Sequence, residues 1–328
     1  MHEYDVVGIG NALVDVITHA DDHFLDDEGL VKGSMMLIDT ERAVKLYSAM
    51  GAGIEMSGGS AANTMCGVAS FGGHAAYIGK VADDQLGEVF GHDLRAVGVG
   101  FSAPPAMLGV PTGRCLILVT PDAQRTMNTY LGVSELLGPD DVDDALVAKG
   151  KVLYMEGYLW DRPEAMAAYR KAAKVAHGGG GKVSLSLSDS FCVHRHRESF
   201  LELVANDVDL LFGNEEEILA LYEVDEFDDA VRLVRNHCEI VAITRGKQGA
   251  TVVTNDEIYD VPAMDVDEVI DTTGAGDLYA AGFLYGYTHG YDPVRCSELG
   301  GLAAAEVIAH VGARPLVDLG KLAVEAFR

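Results

Sequence analysis

The sequence predicts an α/β protein in which a mostly parallel sheet is covered on both faces by helices. Three observations predict it. From about residue 150 onward, short apolar runs alternate with longer segments of helical spacing, the pattern of strands joined by crossover helices. Glycine-rich turns stand where several strands end and helices begin. Apolar residues make up 48% and charged residues 23%, the proportions of a globular chain. The 328 residues suit one large domain or two modest ones at a typical ~150 residues each, and can bury a core without disulfide staples.

Element by element, residues 4–10 read as a buried parallel strand. Residues 41–50 and 61–71 read as helices, 75–79 as a strand and 85–97 as the helix after it. Residues 115–120 and 125–130, split by Pro121-Asp122, predict a hairpin. The regular alternation then runs strand 152–155, helix 163–176, turn 178–181, strand 182–187, helix 199–205 and strand 209–212. Helices 215–221 and 228–236, strand 240–244 and a hairpin of 250–254 with 257–261 follow. Helices 275–288, 293–310 and 318–327 close the chain. The segments at about 14–37 and 110–131 do not fit the alternation. They predict a small sheet set apart, suited to a lid over a cleft, within one domain spanning 1–328.

Charge and cysteine usage exclude some functions. With 24 Lys and Arg against 51 Asp and Glu, the net charge is 24 − 51 = −27. That field repels nucleic acid and anionic membranes. The five dispersed cysteines, without a CxxC pair, read as reduced thiols of a cytoplasmic protein. Glu3 and Asp5 stand where an export signal carries positive charge. The uncharged stretch 56–79 is too rich in Gly, Ser and Asn for a membrane span.

Asp271-Thr272-Thr273-Gly274-Ala275-Gly276-Asp277, before the apolar run 278–287, is the strongest local signal. The N–H groups of Gly274, Ala275 and Gly276 would face out of a helix N-terminus, where anions bind. Asp277 in the first turn would take a proton from an attacking hydroxyl while those donors stabilise a transferring phosphoryl. The plainer reading is an acid complementing the helix dipole. No GxxxxGK[ST] loop occurs, and Gly8-Ile9-Gly10 lacks the third glycine of a dinucleotide fingerprint.

Met56-Ser57-Gly58-Gly59-Ser60-Ala61-Ala62-Asn63-Thr64 allows close backbone approach and offers neutral polar groups to a polyhydroxyl ligand, or is an ordinary capped helix start. Asn11 and Asp15 follow the first strand, where a carboxylate can accept two hydroxyls of a vicinal diol; the alternative is a turn Asn and a surface Asp. Asn214 and Glu217, in Phe212-Gly213-Asn214-Glu215-Glu216-Glu217, place Mg²⁺ and its waters near nucleotide phosphates, or merely favour a helix start. Thr244-Arg245-Gly246-Lys247-Gln248-Gly249 suits a phosphate or ribose turn, or a hairpin link. His194-x-His196 has no third ligand nearby and reads as a solvated basic turn.

In order and spacing these motifs resemble the ribokinase-like family, the PfkB carbohydrate kinases, from the first strand to about Arg314. GGSAANT with Gly72-Gly73 and the run from Gly79 to Asp84 is similar to the family's first signature, and DTTGAGD to its second. The resemblance implies a three-layer α/β/α fold with a small β lid, and ATP with Mg²⁺. It implies Asp277 as catalytic base, Gly274, Ala275 and Gly276 as anion hole, and Asn11, Asp15, Gly58, Gly59, Ser60 and Asn63 at the acceptor. It implies Asn214 and Glu217 at Mg²⁺, and Thr244, Gly246 and Gly249 with His310 and Gly312 at the nucleotide. Asp271 and Thr273 match part of a monovalent-cation site, for K⁺ in many members.

Within the family, GNALVDV, Pro111-Thr112-Gly113-Arg114-Cys115 and Tyr154-Met155-Glu156-Gly157-Tyr158-Leu159 resemble the adenosine kinases most. So does Asp122-Ala123-Gln124-Arg125, a lid turn whose Arg125 approaches the phosphates. The resemblance implies transfer to the 5′-hydroxyl of adenosine, with Leu13, Met36, Cys115, Tyr158 and Leu159 walling the base. Leu278-Tyr279 departs from the family's small residue and Phe, and Met35-Met36 stands where a polar lid position is usual. Inosine, guanosine, ribose and fructose remain alternative acceptors, as monomer and homodimer remain alternative assemblies. A non-catalytic ligand-binding protein and a nicotinamide dehydrogenase are the rival classes.

Overall fold

Successive residues of the first strand serve two different cores. Val7 and Ile9 pack in one apolar cluster and Val6 in another, as the period of two requires of a strand buried on both faces. The computed structural model describes residues 2–122, 124–235 and 237–327. In chain order the strands are β1 (Tyr4–Ile9), β2 (Leu13–His19), β3 (Met35–Leu37), β4 (Ile54–Gly58), β5 (Ala75–Ile78), β6 (Gly113–Val119), β7 (Arg125–Tyr130), β8 (Gly150–Glu156), β9 (Lys182–Ser186), β10 (Leu210–Asn214), β11 (Ile240–Thr244), β12 (Ala250–Thr254) and β13 (Ile258–Val261). The α-helices are α1 (Asp22–Asp27), α2 (Thr40–Ala49), α3 (Ser60–Ser70), α4 (Gln85–Ala96), α5 (Asp144–Val147), α6 (Pro163–Gly178), α7 (Ser190–Asn206), α8 (Glu215–Tyr222), α9 (Phe227–Val234), α10 (Ala275–Thr288), α11 (Pro293–Ile308) and α12 (Leu319–Ala326).

Among the described residues, eight strands form the large sheet in the order β13-β12-β11-β10-β9-β8-β1-β5. Neighbours from β5 to β11 are parallel, and β12 and β13 extend the edge antiparallel. Helices α6 to α9 cover one face, burying Tyr169 and Phe200 beside Trp160. Helices α3, α4, α10 and α11 cover the other. The expected three-layer α/β/α arrangement is therefore present.

A second, five-stranded sheet has the order β3-β7-β6-β2-β4. Alternation along β6 gives it two faces. Leu116 and Leu118 pack with Leu25 of α1 and Leu46 of α2, whereas Cys115, Ile117 and Val119 face the other way, with Met127.

Two segments differ from the sequence reading. Strand β4 lies within residues read only as the approach to a helix; it pairs antiparallel with β2, and its short run with an exposed Ile54 shows no strand period. The expected helix 199–205 lies within α7, which extends upstream of it to Ser190. Asp189 caps it by accepting from the Cys192 N–H at 2.5 Å, and Cys192 and Val193 are buried. His194 is thus helical rather than part of a turn, and His196 sits at a kink within the helical segment. Only a local bend at His196 (φ −124°, ψ 18°) interrupts the helix, whose His196 Nε2 meets Asp161 Oδ1 at 2.5 Å. Asn236, the expected end of α9, and Ala123 of the expected lid turn lie outside the described residues.

Candidate active site

A cleft of about 710 Å³ opens between the two sheets. Its floor is made where strands of the large sheet end: Asn11 after β1, Glu156 of β8, Ser186 of β9, Asn214 of β10 and Thr244 of β11. Ligands of open α/β sheets bind at this carboxyl edge.

Gly274 starts α10 with φ +80°, a left-handed conformation that glycine adopts without strain. A Cβ there would also meet the Ala313 backbone at 2.8 Å. One turn on, the Asp277 carboxylate faces α3. Its Oδ1 accepts from the Ser60 hydroxyl at 2.6 Å and its Oδ2 from Asn63 Nδ2 at 2.9 Å. Ser60 and Asn63 are three apart and so share one helix face. Burial raises the Asp277 carboxyl above its ordinary range, opposed by these two hydrogen bonds and by the Arg314 charge. The Ala275 N–H turns back to Thr272 O at 3.2 Å. Among the described residues, the N–H groups of Gly274 and Gly276 have no partner within the chain. Of the three N–H groups expected to face an anion, those of Gly274 and Gly276 are thus left free, while the tight turn occupies that of Ala275.

On the neighbouring wall, Glu156 is 1% exposed. It accepts from the Asn11 N–H at 2.7 Å, Asn11 Nδ2 at 2.9 Å and the Ala61 N–H at 2.8 Å. Burial pushes its carboxyl up to about 7 against those bonds, and the Asp277 charge adds to the rise. Glu156 therefore fixes both Asn11, which also accepts from Ser134 Oγ at 3.0 Å, and the start of α3. Asp15 differs: no hydrogen bond within the described residues reaches its carboxylate. Burial pushes it up to about 6, against Arg314 and Arg125 and with Asp277 adding. A Cβ on Gly58 would strike that carboxylate, so the glycine leaves it room without itself lining the cleft.

The cleft is lined by Asn11, Leu13, Asp15, Gly59, Ser60, Asn63, Cys115, Tyr158, Asn214, Glu217, Thr244, Thr273 and the run 274–277, all expected from sequence. Met36 is not: alternation in β3 sends Met35 and Leu37 to the cleft instead, beside Ile117 and Met127. Leu159 is buried in the core under α6, because the turn after β8 directs Tyr158 outward and Leu159 inward. The Cys115 thiol packs with Ile117 and Val119, and burial pushes it up to about 12, which disfavours the reactive thiolate. Sequence reasoning missed Glu156, Ser134 and Arg314. Arg314 donates to Ala62 O at 3.0 Å and Ser57 O at 3.1 Å, tying a C-terminal loop to α3 and β4.

At the other end, Asn214 and Glu217 form a reciprocal cap of α8. The Asn214 N–H donates to Glu217 Oε2 at 3.0 Å, Asn214 Nδ2 to Oε1 at 2.7 Å, and the Glu217 N–H to Asn214 Oδ1 at 2.8 Å. Burial pushes Glu217 up to about 7, opposed by Asn214 and reinforced by the charges of Asp189 and Glu216. Excess negative charge on a carboxylate at the cleft fits a cation held mainly through water. Among the described residues, no group of three His, Cys, Asp or Glu side chains forms a metal cage.

Gly246, Gly249, His310 and Gly312 do not line the cleft, whereas Thr244 and Ala313 do. His310 faces Glu306 at 3.3 Å, and the Gly312 N–H donates to Asp271 Oδ2 at 2.9 Å. Arg125 does not reach the cleft either. It forms an ion pair with Asp271, Nη2 to Oδ2 2.8 Å, both side chains under 10% exposed (8% and 6%). Asp271 and Thr273 therefore do not fit a monovalent cation as the sequence led us to expect: a guanidinium already stands against them.

A buried carboxylate beside free N–H groups, at a helix start and in a cleft between two sheets, suits a small-molecule phosphotransferase. The chain belongs to the pfkB family of carbohydrate kinases, which matches residues 31–318. It is a kinase of alcohol groups with ATP as co-substrate. It is similar over 99% of its length, and of theirs, to an adenosine kinase from Sinorhizobium meliloti (54% identity, TM-score 0.92) and a probable sugar kinase protein from Rhizobium etli CFN 42 (49%, TM-score 0.93). It is 32% identical to an ATP-dependent ribose-1-phosphate kinase of Halopiger xanaduensis, over 83% of this chain and 86% of that protein. No helix of the described residues is long and apolar enough to cross a membrane.

Proposed function

We propose that this kinase phosphorylates the 5′-hydroxyl of adenosine, with the five-stranded sheet acting as a lid. The observation that carries the reading is the two-sided cleft. An Asp15 carboxylate with no hydrogen-bond partner among the described residues, suited to a ribose diol, lies beside an apolar wall of Leu13, Met35, Leu37, Ile117 and Tyr158, suited to a purine. The similarity to the Sinorhizobium meliloti adenosine kinase supports it.

In the proposed reaction Asp277 takes the hydroxyl proton as the hydroxyl oxygen attacks the γ-phosphorus in line. The bond from that phosphorus to the β–γ bridging oxygen breaks and ADP leaves. The Gly274 and Gly276 N–H groups stabilise the phosphoryl oxygens. Asn214 and Glu217 would hold Mg²⁺ through water, and that ion supplies charge neutralisation at the phosphates when bound. The five cysteines are unpaired and buried, which suits the reducing cytoplasm.

A second reading, transfer to a free sugar or sugar phosphate, is supported by the names of the other relatives. ADP release with Mg-ATP and adenosine, inosine, guanosine, ribose, ribose 1-phosphate and fructose decides between them. Selective turnover of adenosine is expected; preference for a free sugar or its phosphate overturns the nucleoside reading and leaves the kinase chemistry intact.

A further inference from the structure

Asp271 opens the loop that ends in Gly274 and Gly276, and three groups of the chain meet its carboxylate. Oδ1 accepts from the Thr273 N–H at 3.0 Å and Oδ2 from the Gly312 N–H at 2.9 Å. The remaining face of Oδ2 meets Arg125 Nη2 at 2.8 Å, off the N–H axis, so the contact is one of charge. The same guanidinium reaches the Thr273 hydroxyl through Nη1 at 3.4 Å. Arg125 begins β7 of the small sheet, whereas Asp271 and Thr273 belong to the loop that enters α10.

A buried carboxylate needs a countercharge, and an arginine is a permanent one. A free monovalent cation at the Asp271 and Thr273 oxygens would lie against a like charge in a dry site. We infer that Arg125 is a tethered substitute for a monovalent cation. It neutralises Asp271, holds the anion-binding loop in register and fastens the small sheet to that loop. Arg125 is thus a positioning residue, and the kinase works without K⁺. The inference rests on the kinase reading only for its activity measurements.

The test compares wild type, Arg125→Met and Arg125→Lys in K⁺, Na⁺ and tetramethylammonium chloride at matched ionic strength. Turnover of whichever acceptor the panel selects and the thermal midpoint without substrates are both read. Wild type is expected to show the same rate and midpoint in all three salts. Arg125→Met is expected to lose about tenfold or more in rate, since removing one partner strands a buried charge. K⁺ should then restore part of that rate and raise the midpoint, with Arg125→Lys between the two. A wild-type rate or midpoint that climbs with K⁺ over tetramethylammonium overturns the inference, as does an Arg125→Met protein that matches wild type in every salt. Should Arg125→Met not fold, the wild-type salt series and Arg125→Lys decide. Should no acceptor turn over, the kinase reading fails separately and the midpoint series still tests the ion pair.

Discussion

The hydroxyl of Ser60 donates to Oδ1 of Asp277 at 2.6 Å across 217 positions of sequence. With the Asn63 amide on Oδ2, it aims the carboxylate and limits how far burial raises its proton affinity. Asp277→Asn should keep the fold and the acceptor's affinity and lower kcat by about a hundredfold or more, the usual scale for loss of a general base. Steady-state rates with calorimetric binding of the acceptor check this; a near-normal kcat would remove Asp277 from the base role.

The same hydrogen bonds make a pH prediction. Asp277 must be ionised to accept a proton, so kcat/KM rises with pH through its ionisation. Asn63→Ala removes a bond that favours the charged form, so the acid limb of the profile should move to higher pH. A limb that stays in place or moves to lower pH would show that another group sets it, Asp15 near 6 being the first candidate.

How much of this was legible differs by residue. Helix α10 and its entry were readable because an apolar run follows two glycines and an acid. Glu156 was not: a lone carboxylate ending an apolar strand looks like a surface cap until the fold brings Asn11 and Ala61 to it. Strand β3 has only three residues, too few to fix which methionine faces the cleft. Charge hid the first half of α7, where Asp189, Cys192 and Val193 set the helix against the HRHR run. Arg125 and Asp271 each carried a family role, yet only the folded chain shows that they meet and so compete with a cation.

Gly274 holds φ +80° against Ala313. Gly274→Ala should cost about 1–3 kcal/mol through backbone strain and displace the free N–H groups. Nucleotide-dependent turnover should fall well beyond any change in acceptor affinity. Urea unfolding and single-turnover rates separate the two effects.

Glu156 and Glu217 stand at about 7 in the folded chain against an ordinary 4.5. The folded state therefore holds these protons more tightly than the unfolded state. The stability they lend is full below about 4.5 and is lost as pH rises through about 7. Glu217→Gln cannot ionise, so its thermal midpoint relative to wild type should improve steadily across that window. A constant difference between the two proteins would show that Glu217 keeps an ordinary affinity, as a bound cation would enforce.

Arg314 gives the last prediction. Its guanidinium holds the carbonyls of Ala62 and Ser57, and its charge lowers the proton affinity of both Asp15 and Asp277. Arg314→Met removes buried hydrogen bonds and a countercharge together. Stranded acceptors should cost about 1–3 kcal/mol, read by urea unfolding. The lost charge should move the acid limb of kcat/KM to higher pH, which a purely structural role would not do. Arg314→Lys restores the charge without the fork, so it should recover the pH profile more completely than the stability.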